Sequence, residues 1–507
     1  MIIPFIFSLD PTSLNRPFLW SFYKGVSFAK KKEWPVIAQK RYFDMNRNDD
    51  EYIQLLQEEA CSKFGYDRPE EKDFDRIMKI KIPDVIEQRF VSRYPSQTDA
   101  YVASLTVEWK EMEDFLENEL KKIENIYDEK IEALMLLQGC EFVRRVAEKL
   151  NILVIHYEWG PFRAGMYRDT AYFDFNGIAG DLSVQERFQN FINCEYEKQV
   201  PILSRREILA IFLSISDLHY ATDAYQEPNY EMGMACGYTI PGMITARNGI
   251  TLMELYTKAR DYFKESEIAI RYHPGDPMHC NLHKANEATG SLIDFIMNCK
   301  RVACICSNVS YEALLFGKPV YEVKWSQYGF ICNDLNDGLK DIVPDDTILS
   351  YIAFAILIPY ELLNSVEYIR FRIKEKDEKK IYLYHLRYYL SIYGIDESIM
   401  ELPTDERIEA IISVRRKKME IQNEELPIEK TFGEEVRFIV DAERKYELLK
   451  KYNQSLLEGI AYRDERIKNL EKEIAYRDEG IKNLEKELNE YTVLDILRKK
   501  MNKGKHI

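Results

Sequence analysis

The sequence predicts an α/β protein with two tandem blocks of parallel sheet and a C-terminal helical extension. Short apolar runs alternate with stretches of helical periodicity, which is typical of parallel strands joined by helical crossovers. Residues 441–488 contain no proline and are rich in Glu, Lys and Arg, so the fold class changes there. The predicted domains are residues 1–198, residues 199–400 and residues 401–507.

Length, composition and charge exclude several classes of protein. The chain has 507 residues, of which 46% are apolar and 31% charged, and this composition is enough for sizeable cores. A formal net charge of −15 argues against a general nucleic-acid binder. No run approaches the roughly 18 apolar residues of a membrane helix. Nine scattered cysteines without a CxxC pair indicate reduced thiols and a cytoplasmic protein.

The first block begins with an apolar segment, residues 1–9, which predicts a buried first strand. Residues 99–150 have helical periodicity and predict two helices. Residues 151–156 form a continuous apolar run, which is typical of a buried parallel strand, and turn-forming residues follow it. Because α/β proteins bind ligands at the carboxyl ends of parallel strands, we expect function in this loop.

The second block repeats this alternation. Residues 345–400, which follow it, are predicted to be helical and are rich in tyrosine. Strands are expected at residues 268–272, 302–306 and 319–323, and helices at residues 254–263, 291–299 and from residue 311.

The C-terminal extension contains two near-identical segments of 14 residues, residues 461–474 and 475–488. Fourteen residues are two heptads, and the Leu and Ile residues of this region fall on one a/d stripe. This pattern predicts a coiled coil that self-associates or recruits a partner protein, and a solvated single helix with i,i+4 ion pairs is the alternative. Five of the last ten residues are Lys or Arg. They predict peripheral contact with the anionic inner face of the cytoplasmic membrane or, equally, a solvated terminus.

The segment from residue 306 to residue 320 is the most specific motif. A predicted strand ends at Cys306, small hydroxyl and amide residues follow, and a helix is expected to start near Ser310. Ser307, Asn308 and Ser310 would then stand beside the free N–H groups of a helix N-terminus, which bind phosphate without a net positive charge. An ordinary N-cap would also explain Ser310.

Glu312, Gly317 and Lys318 complete this motif. Glu312 lies in the first helical turn, where its carboxylate could reach a ribose hydroxyl pair. Gly317 alone is typical of the glycine that follows a helix. Capping does not explain the combination of Glu312 with the Gly-Lys-Pro exit that contains Lys318. The whole segment resembles the donor-nucleotide half of GT-B glycosyltransferases and of related nucleotide-sugar epimerases.

His273 and Pro274 close another predicted strand. An imidazolium can hydrogen-bond a phosphodiester and proline restricts the turn, whereas a purely structural turn histidine is the alternative. The pair resembles the His-Pro motif of transferases that use CMP-activated acidic sugars, the sialyl- and Kdo-transferases, and so implies contact between His273 and the donor phosphate. His279 and His283 follow with Cys280 between them, but the turn-rich context and the lack of a second ligand cluster predict no metal site.

Glu158 and Arg163 are the candidate functional residues of the first block. Glu158 is expected in a glycine-containing loop after a buried strand, a suitable place for an acid/base carboxylate. The planar guanidinium of Arg163 suits a carboxylate or phosphate. A surface Glu–Arg pair is the alternative. Together with residues 174–178, this segment resembles the Glu-x-Gly-x-x-Arg … Asp-x-x-Gly-Ile pattern of the bacterial capsule and lipopolysaccharide β-Kdo transferases.

The resemblance to these families extends over about residues 150–325, and more loosely over residues 1–390. It departs at a Gln-containing segment whose Asp is the covalent nucleophile of the retaining Kdo enzymes. Gln226 matches, but an asparagine or a tyrosine, at or next to Asn229, occupies the Asp position. An amide cannot serve as the carboxylate nucleophile. Either Glu231 or Glu227 takes that role, or Glu158 does more, or the mechanism differs.

The resemblance implies a GT-B-like fold, in which two Rossmann-like domains face a cleft. It implies a glycosyltransferase that moves Kdo or a related ulosonic acid from a CMP-activated donor to a bacterial O-antigen or capsule, with a lipid-linked or oligosaccharide acceptor. It implies a CMP-sugar donor as substrate and no certain cofactor, although Mg²⁺ could accompany the donor phosphate. The catalytic candidates are Glu158 and Glu231. The donor-binding candidates are Arg163, Gln226, His273, Ser307, Asn308, Ser310, Glu312 and Lys318.

Two other functions remain open from the sequence. A nucleotide-sugar epimerase or hydrolase of the same fold would share the Ser/Asn/Glu motif without needing an acceptor. A degenerate transferase that lacks turnover would instead organise other enzymes of the pathway through its coiled coil.

Overall fold

The computed structural model describes residues 1–9, 16–44, 69–137, 139–163, 166–194, 200–222, 227–237, 248–273, 286–288 and 290–424, together with Leu282 and Lys482. Met1–Glu425 forms one compact unit. The predicted coiled coil, the basic end, Gln226 and the pair His279 and His283 lie outside the described residues. Within those residues, no helix combines the length and the apolar character needed to cross a bilayer.

The first sheet has seven strands, six of them from the N-terminal part of the chain. They are β1 (Ile2–Ile6), β2 (Val36–Gln39), β3 (Lys79–Ile82), β4 (Ala133–Leu136), β5 (Leu153–Trp159), β6 (Thr170–Asp174) and β12 (Leu357–Pro359). Their order is β12-β6-β5-β4-β1-β2-β3. Strands β1 to β5 are parallel, and β6 runs antiparallel to both of its neighbours.

Helices cover both faces of this sheet, because every residue of the strands β1, β2 and β4 is buried. On one face Gly25 brings a helix so close that a Cβ at this position would lie 2.9 Å from Cβ of Pro4. On the other face Phe142 packs edge-on against Phe5 and Phe7. The helices of this region are α1 (Arg16–Ala29), α2 (Lys40–Asp44), α3 (Glu71–Arg76), α4 (Asp84–Val91), α5 (Gln97–Thr106), α6 (Lys110–Tyr127), α7 (Glu141–Leu150) and α8 (Val184–Asn193).

The second sheet has five parallel strands in the order β11-β10-β7-β8-β9. Its strands are β7 (Met232–Ala235), β8 (Ile268–Arg271), β9 (Asn286–Glu287), β10 (Val302–Cys304) and β11 (Val320–Tyr321). Its helices are α9 (Arg205–Phe212), α10 (Leu252–Arg260), α11 (Leu292–Met297) and α12 (Val309–Leu315). The predicted α/β class with parallel sheets is therefore confirmed.

Strand β7 was not predicted from the sequence, because Met-Gly-Met-Ala lacks the β-branched residues that favour strands. Its pairing with both β8 and β10 makes it the central strand of the second sheet. A Cβ at Gly233 would lie 2.5 Å from Sγ of Cys299 and 2.8 Å from the ring of Phe295. The close approach of α11 to this strand therefore requires glycine.

After the second sheet the chain returns to the first. The helices of the return are α13 (Asp346–Tyr351), a π-helical turn (Ile352–Ile356), α14 (Val366–Lys374), α15 (Glu378–Tyr393) and α16 (Thr404–Glu424). Strand β12 interrupts the region that was predicted to be wholly helical, and it pairs with β6. A buried ion pair joins this returning segment to α8, because Nε of Arg187 in α8 lies 2.8 Å from a carboxylate oxygen of Glu378 in α15.

Candidate active site

The carboxyl end of β5 in the first sheet meets the strand-to-helix turn after β10 in the second. Asn308, which precedes α12, donates from Nδ2 to the carbonyl oxygens of Trp159 at 3.3 Å and Gly160 at 3.4 Å. The hydroxyl of Tyr172 donates to Oδ1 of Asn308 at 2.7 Å. These bonds connect two of the predicted motifs and define the candidate site.

Gly160 allows the tight turn that follows β5. Its N–H donates to the carbonyl of Thr170 at 2.9 Å. A Cβ at this position would overlap the Thr170 hydroxyl and lie 3.1 Å from the Thr170 carbonyl carbon. A side chain here would therefore displace the end of β5, which carries Glu158.

Glu158 lies within the strand, not in the loop that the sequence predicts, because β5 continues to Trp159. It is paired across the antiparallel ladder with Tyr172, so the two side chains are neighbours on one face. The half-buried carboxylate forms no hydrogen bond or ion pair with the described residues. Burial raises the pKa of Glu158, and the positive charge of Arg163 opposes this. A raised pKa suits a carboxyl group that exchanges protons near neutral pH.

The charge of Arg163 acts on two carboxyl groups of the site, Glu158 of β5 and Glu312 of α12. Its exposed guanidinium donates from Nε to the carbonyl of Gly160 at 3.3 Å. Its charge acts to lower the pKa of both Glu158 and Glu312. An exposed guanidinium in this position can bind an anionic ligand group.

Glu312 is 3% exposed and faces the protein interior. Burial raises its pKa to about 8, against the influence of the Tyr167 hydroxyl and of the charges of Arg163 and Arg271. The carboxyl group is therefore mostly protonated at neutral pH. The ribose contact predicted for this residue stays a prediction, and in the structure its side chain is buried.

Ser310 stabilises the turn after β10 through hydrogen bonds of its buried hydroxyl. Helix α12 begins at Val309, so Ser310 is inside the helix instead of at its N-cap. Its buried hydroxyl donates to the carbonyl of Ser307 at 2.8 Å and bonds to the Glu322 carboxylate. That carboxylate also accepts the N–H of Cys306 at 2.6 Å, where the backbone is left-handed with a φ of 49°. Ser307 and Asn308 are half-buried, so of the three they are the ones that a ligand can reach.

The structure places Glu231 and Lys318 away from this cluster. Glu231 precedes β7 at the amino end of the strand, opposite to the edge that carries Asn308. Its carboxylate pairs with Lys300 and, at 3.0 Å, with Arg301, and these cations lower its pKa. Lys318 follows the C-terminal end of α12, where its Nζ donates to the carbonyl of Met297 at 3.2 Å. Glu227, the other alternative carboxylate, is exposed in the segment before β7.

His273 lies at the same edge of the second sheet as Ser307, two residues beyond the end of β8, and is half-buried. A cavity of about 450 Å³ opens at this edge as well. Its lining includes Glu322, Lys324 and Trp325 after β11, and Asn248 before α10. This volume is in the range of small-molecule sites.

Several residues of the site were not predicted from the sequence. Tyr172 and Tyr328 bond through their hydroxyls, which contributes a contact between the two sheets, and Glu322 fixes the turn after β10. The Trp325 indole donates to Asp181 at 3.0 Å. These residues reach the site because β5 pairs with β6 and β10 pairs with β11. They could therefore be identified only once the strand order of the two sheets was known.

The Asp-x-x-Gly-Ile part of the first motif has a structural role. The buried carboxylate of Asp174 accepts the N–H groups of Asn176 at 2.8 Å and Ser183 at 3.2 Å, and pairs with Arg187 at 3.5 Å. A Cβ at Gly177 would lie 2.6 Å from Cβ of Asp181. This half of the motif therefore holds the loop that supports Trp325.

No group of three or more His, Cys, Asp and Glu side chains is arranged to hold a metal ion in the described part of the chain. The histidine pair after His273 lies outside that part. A magnesium ion on the donor phosphate stays a prediction.

Comparison with known proteins gives a family match for the first sheet. Residues 5–183 match the model of the glycosyltransferase 99 family N-terminal domain. This match supports a glycosyltransferase role. The matched region begins in β1 and ends just before α8, so it includes Glu158, Arg163 and Tyr172. No curated protein matches the sequence significantly.

Solved structures show more distant similarities. The Thermosulfurimonas dismutans KpsC, a β-Kdo 2,7 transferase, is 17% identical over 48% of this chain and 82% of its own, with a TM-score of 0.33. The Methanocaldococcus jannaschii UDP-GlcNAc 2-epimerase is 12% identical over 76% of this chain and 100% of its own, with a TM-score of 0.27. At such identities and TM-scores, these similarities establish neither the donor nor the acceptor of this chain.

Proposed function

We propose that this chain is a glycosyltransferase that moves Kdo or a related ulosonic acid from a CMP-activated donor to a growing bacterial surface glycan. The family match over residues 5–183 supports the transferase activity. The His273-Pro274 pair and the Glu158 to Arg163 segment, which resemble motifs of CMP-Kdo-using enzymes, support the donor.

One observation carries this proposal. Asn308 bonds to the carbonyls of Trp159 and Gly160, so the turn proposed to bind the donor lies beside the strand that carries Glu158. In the proposed GT-B-like arrangement, the second sheet binds the nucleotide and the first binds the acceptor. The cavity beside Glu322 and Trp325 would take part of the donor.

The proposed reaction forms one bond and breaks one. The acceptor hydroxyl oxygen bonds to the anomeric carbon of the sugar, and the bond from that carbon to the phosphate oxygen breaks. CMP leaves with the electron pair, and the hydroxyl proton passes to the carboxylate of Glu158. Arg163 would bind the sugar carboxylate or the phosphate through its guanidinium. Glu231 is not part of this proposal, because Lys300 and Arg301 hold it at the opposite end of β7.

A melting experiment tests the donor. CMP at millimolar concentration should raise the Tm of the full chain, because a ligand that binds the folded state stabilises it. UDP should raise the Tm less. A shift with UDP and none with CMP would replace the donor by a UDP-sugar.

Turnover of CMP-Kdo tests the reaction class. We expect CMP release to depend on a glycan acceptor. Equal release without any acceptor would identify a hydrolase, and binding without any release would identify a degenerate transferase.

A further inference from the structure

A second polar cluster lies at the carboxyl edge of the first sheet, three strands away from Glu158. Its centre is Gln39, the last residue of β2, which is 1% exposed. The Gln39 side chain accepts the N–H of Ser8 at 3.0 Å and donates to a Glu87 carboxylate oxygen at 2.8 Å. It also accepts from Nη2 of Arg41 at 2.8 Å. One buried amide therefore orients a cation and a carboxyl group at this edge.

Each of the two charged side chains has one buried hydrogen-bonding atom without a partner among the described residues. Nε of Arg41 and Oε1 of Glu87 are buried atoms that have no hydrogen-bond partner in the described part of the chain. These two atoms are themselves buried, but both side chains are half-buried as a whole, so other atoms of each are accessible to a ligand. Leaving such groups unmatched costs free energy, so they call for a partner such as a bound water or a polar ligand.

The register of the sheet relates this cluster to Glu158. Ala38 pairs with Ile6, Pro4 pairs with Met135, and Leu136 pairs with His156. Counting along the parallel strands places Ala38 level with Tyr157, and therefore Gln39 level with Glu158.

The same register gives the direction and the distance. Residues that are level in neighbouring strands point to the same face, so Gln39 and Glu158 are on one face of the sheet. Three strand spacings separate them, a distance of roughly 14 Å. This distance is longer than one sugar ring and comparable with a short oligosaccharide.

The chemistry of the cluster matches sugar hydroxyls. A hydroxyl group both donates and accepts, so it can bond to the guanidinium N–H and to the carboxyl oxygen at once. Burial raises the pKa of Glu87 to about 7, so near neutral pH this group holds a proton for part of the time and can also donate.

We propose that Gln39, Arg41 and Glu87 form a binding subsite for a hydroxyl-bearing sugar residue of the acceptor glycan, a few residues away from the sugar that reacts at Glu158. This inference rests on the proposed transferase function. It assigns recognition of acceptor length to the carboxyl edge of β2 and to the first turn of α4.

The experiment compares acceptors of increasing length. Transfer from CMP-Kdo is measured with oligosaccharides of the bacterial surface glycan, from a single sugar upward, as the acceptor probes. The variants are Arg41→Ala and Glu87→Ala. The matched control is Arg89→Ala, which removes an exposed charge of α4 that pairs with Glu111 at 2.7 Å. Arg41→Lys serves if Arg41→Ala does not fold, because it removes Nε and keeps the charge.

We expect both variants to raise the KM for long acceptors roughly tenfold, as the loss of hydrogen bonds to charged groups predicts. The kcat, the CMP-induced Tm shift and the KM for the single sugar should not change, and Arg89→Ala should behave as the wild type. Unchanged KM values for all acceptors in folded variants would overturn the subsite. Equal losses with short and long acceptors would also overturn it, because they would indicate a structural role. A wild type that shows no CMP shift and no transfer would instead contradict the proposed function.

Discussion

The two carboxyl groups of the site, Glu158 and Glu312, differ in how deeply they are buried. Glu158 is half-buried at the end of β5, and its pKa is raised. Glu312 is buried behind the turn after β10, and its pKa is raised to about 8. Arg163 acts on both, so these three residues form one electrostatic unit. Of the two carboxyl groups, Glu158 is the one that a substrate can reach.

Replacing Glu158 by Gln should lower transfer by about 10²- to 10⁴-fold, the usual contribution of a general base. The CMP-induced Tm shift should persist, because Gln keeps the shape of the side chain. The measurement is the initial rate of transfer from CMP-Kdo together with the Tm.

The matched control for this variant is Glu231→Gln. It should keep transfer near the wild-type rate, because Glu231 lies at the opposite end of β7 in ion pairs. The reverse outcome, loss in Glu231→Gln and retention in Glu158→Gln, would reassign the catalytic carboxylate.

Glu312 should make stability depend on pH. Its pKa is about 8 in the folded chain and near the ordinary glutamate value of 4.5 when unfolded. Between these values the folded state binds more protons than the unfolded state, so stability falls as the pH rises from about 4.5 to about 8. In Glu312→Gln this part of the dependence should disappear. Urea unfolding of both proteins from pH 5 to pH 8.5 tests it, and parallel curves would show that Glu312 ionises normally.

At the scale of elements, the turns that follow β5 and β10 position the residues of the candidate site. The turn after β5 needs Gly160, because Thr170 occupies the space of a Cβ. The turn after β10 needs the left-handed backbone of Cys306, which Glu322 holds through its bond to the Cys306 N–H. Asn308 connects the two turns, so a displacement of either one moves the proposed catalytic groups apart.

Gly160→Ala should therefore destabilise the protein by about 1–3 kcal/mol, the usual cost of overpacking, and should also reduce kcat. Urea unfolding and the transfer rate measure the two effects. Gly237→Ala is the matched control, since the nearest atom to a Cβ there is 3.8 Å away. Wild-type behaviour of Gly160→Ala would show that β6 can move without disturbing Glu158.

The boundaries of most predicted elements agree with the structure to within a few residues, but residues 99–150, predicted as two helices, form the three helices α5, α6 and α7 and the strand β4. The strands predicted at residues 268–272 and 302–306 are β8 and β10, each somewhat shorter. Seven of the strands were not predicted from the sequence, namely β2, β3, β4, β6, β7, β9 and β12. Of these, β7 contains glycine and methionine, and β12 follows an apolar stretch with helical character. Both become strands through pairing with distant partners, which local periodicity does not contain.

At the scale of the whole molecule, the two sheets share one compact unit. The chain leaves the first sheet after α8 and returns to it in β12, so the first sheet combines the N-terminal part of the unit with a strand that follows the second sheet. The ion pair between Arg187 and Glu378 lies on this return. Breaking a buried pair costs several kcal/mol, so the return is part of the stability of the first sheet.

The C-terminal extension is predicted to act separately from this unit. Deleting residues 426–507 should leave Met1–Glu425 folded and able to bind CMP, because it is one compact unit. It should abolish self-association if the repeats form a coiled coil. Light scattering and the CMP-induced Tm shift measure the two properties. An unchanged mass would contradict the self-associating coiled coil and leave recruitment of a partner protein as its role.

The sequence by itself determined the α/β class and the two segments, around Glu158 and Ser307, that meet in the candidate site. Such information is local: apolar periodicity reports strands and helices, and residue types after a strand report chemistry. Tertiary structure alone decided that Glu312 and Ser310 are buried, that Glu231 is held elsewhere, and that Tyr172 reaches Asn308. The reason is physical, since burial and pKa depend on neighbours that are distant in the chain, here 136 residues apart for Tyr172 and Asn308.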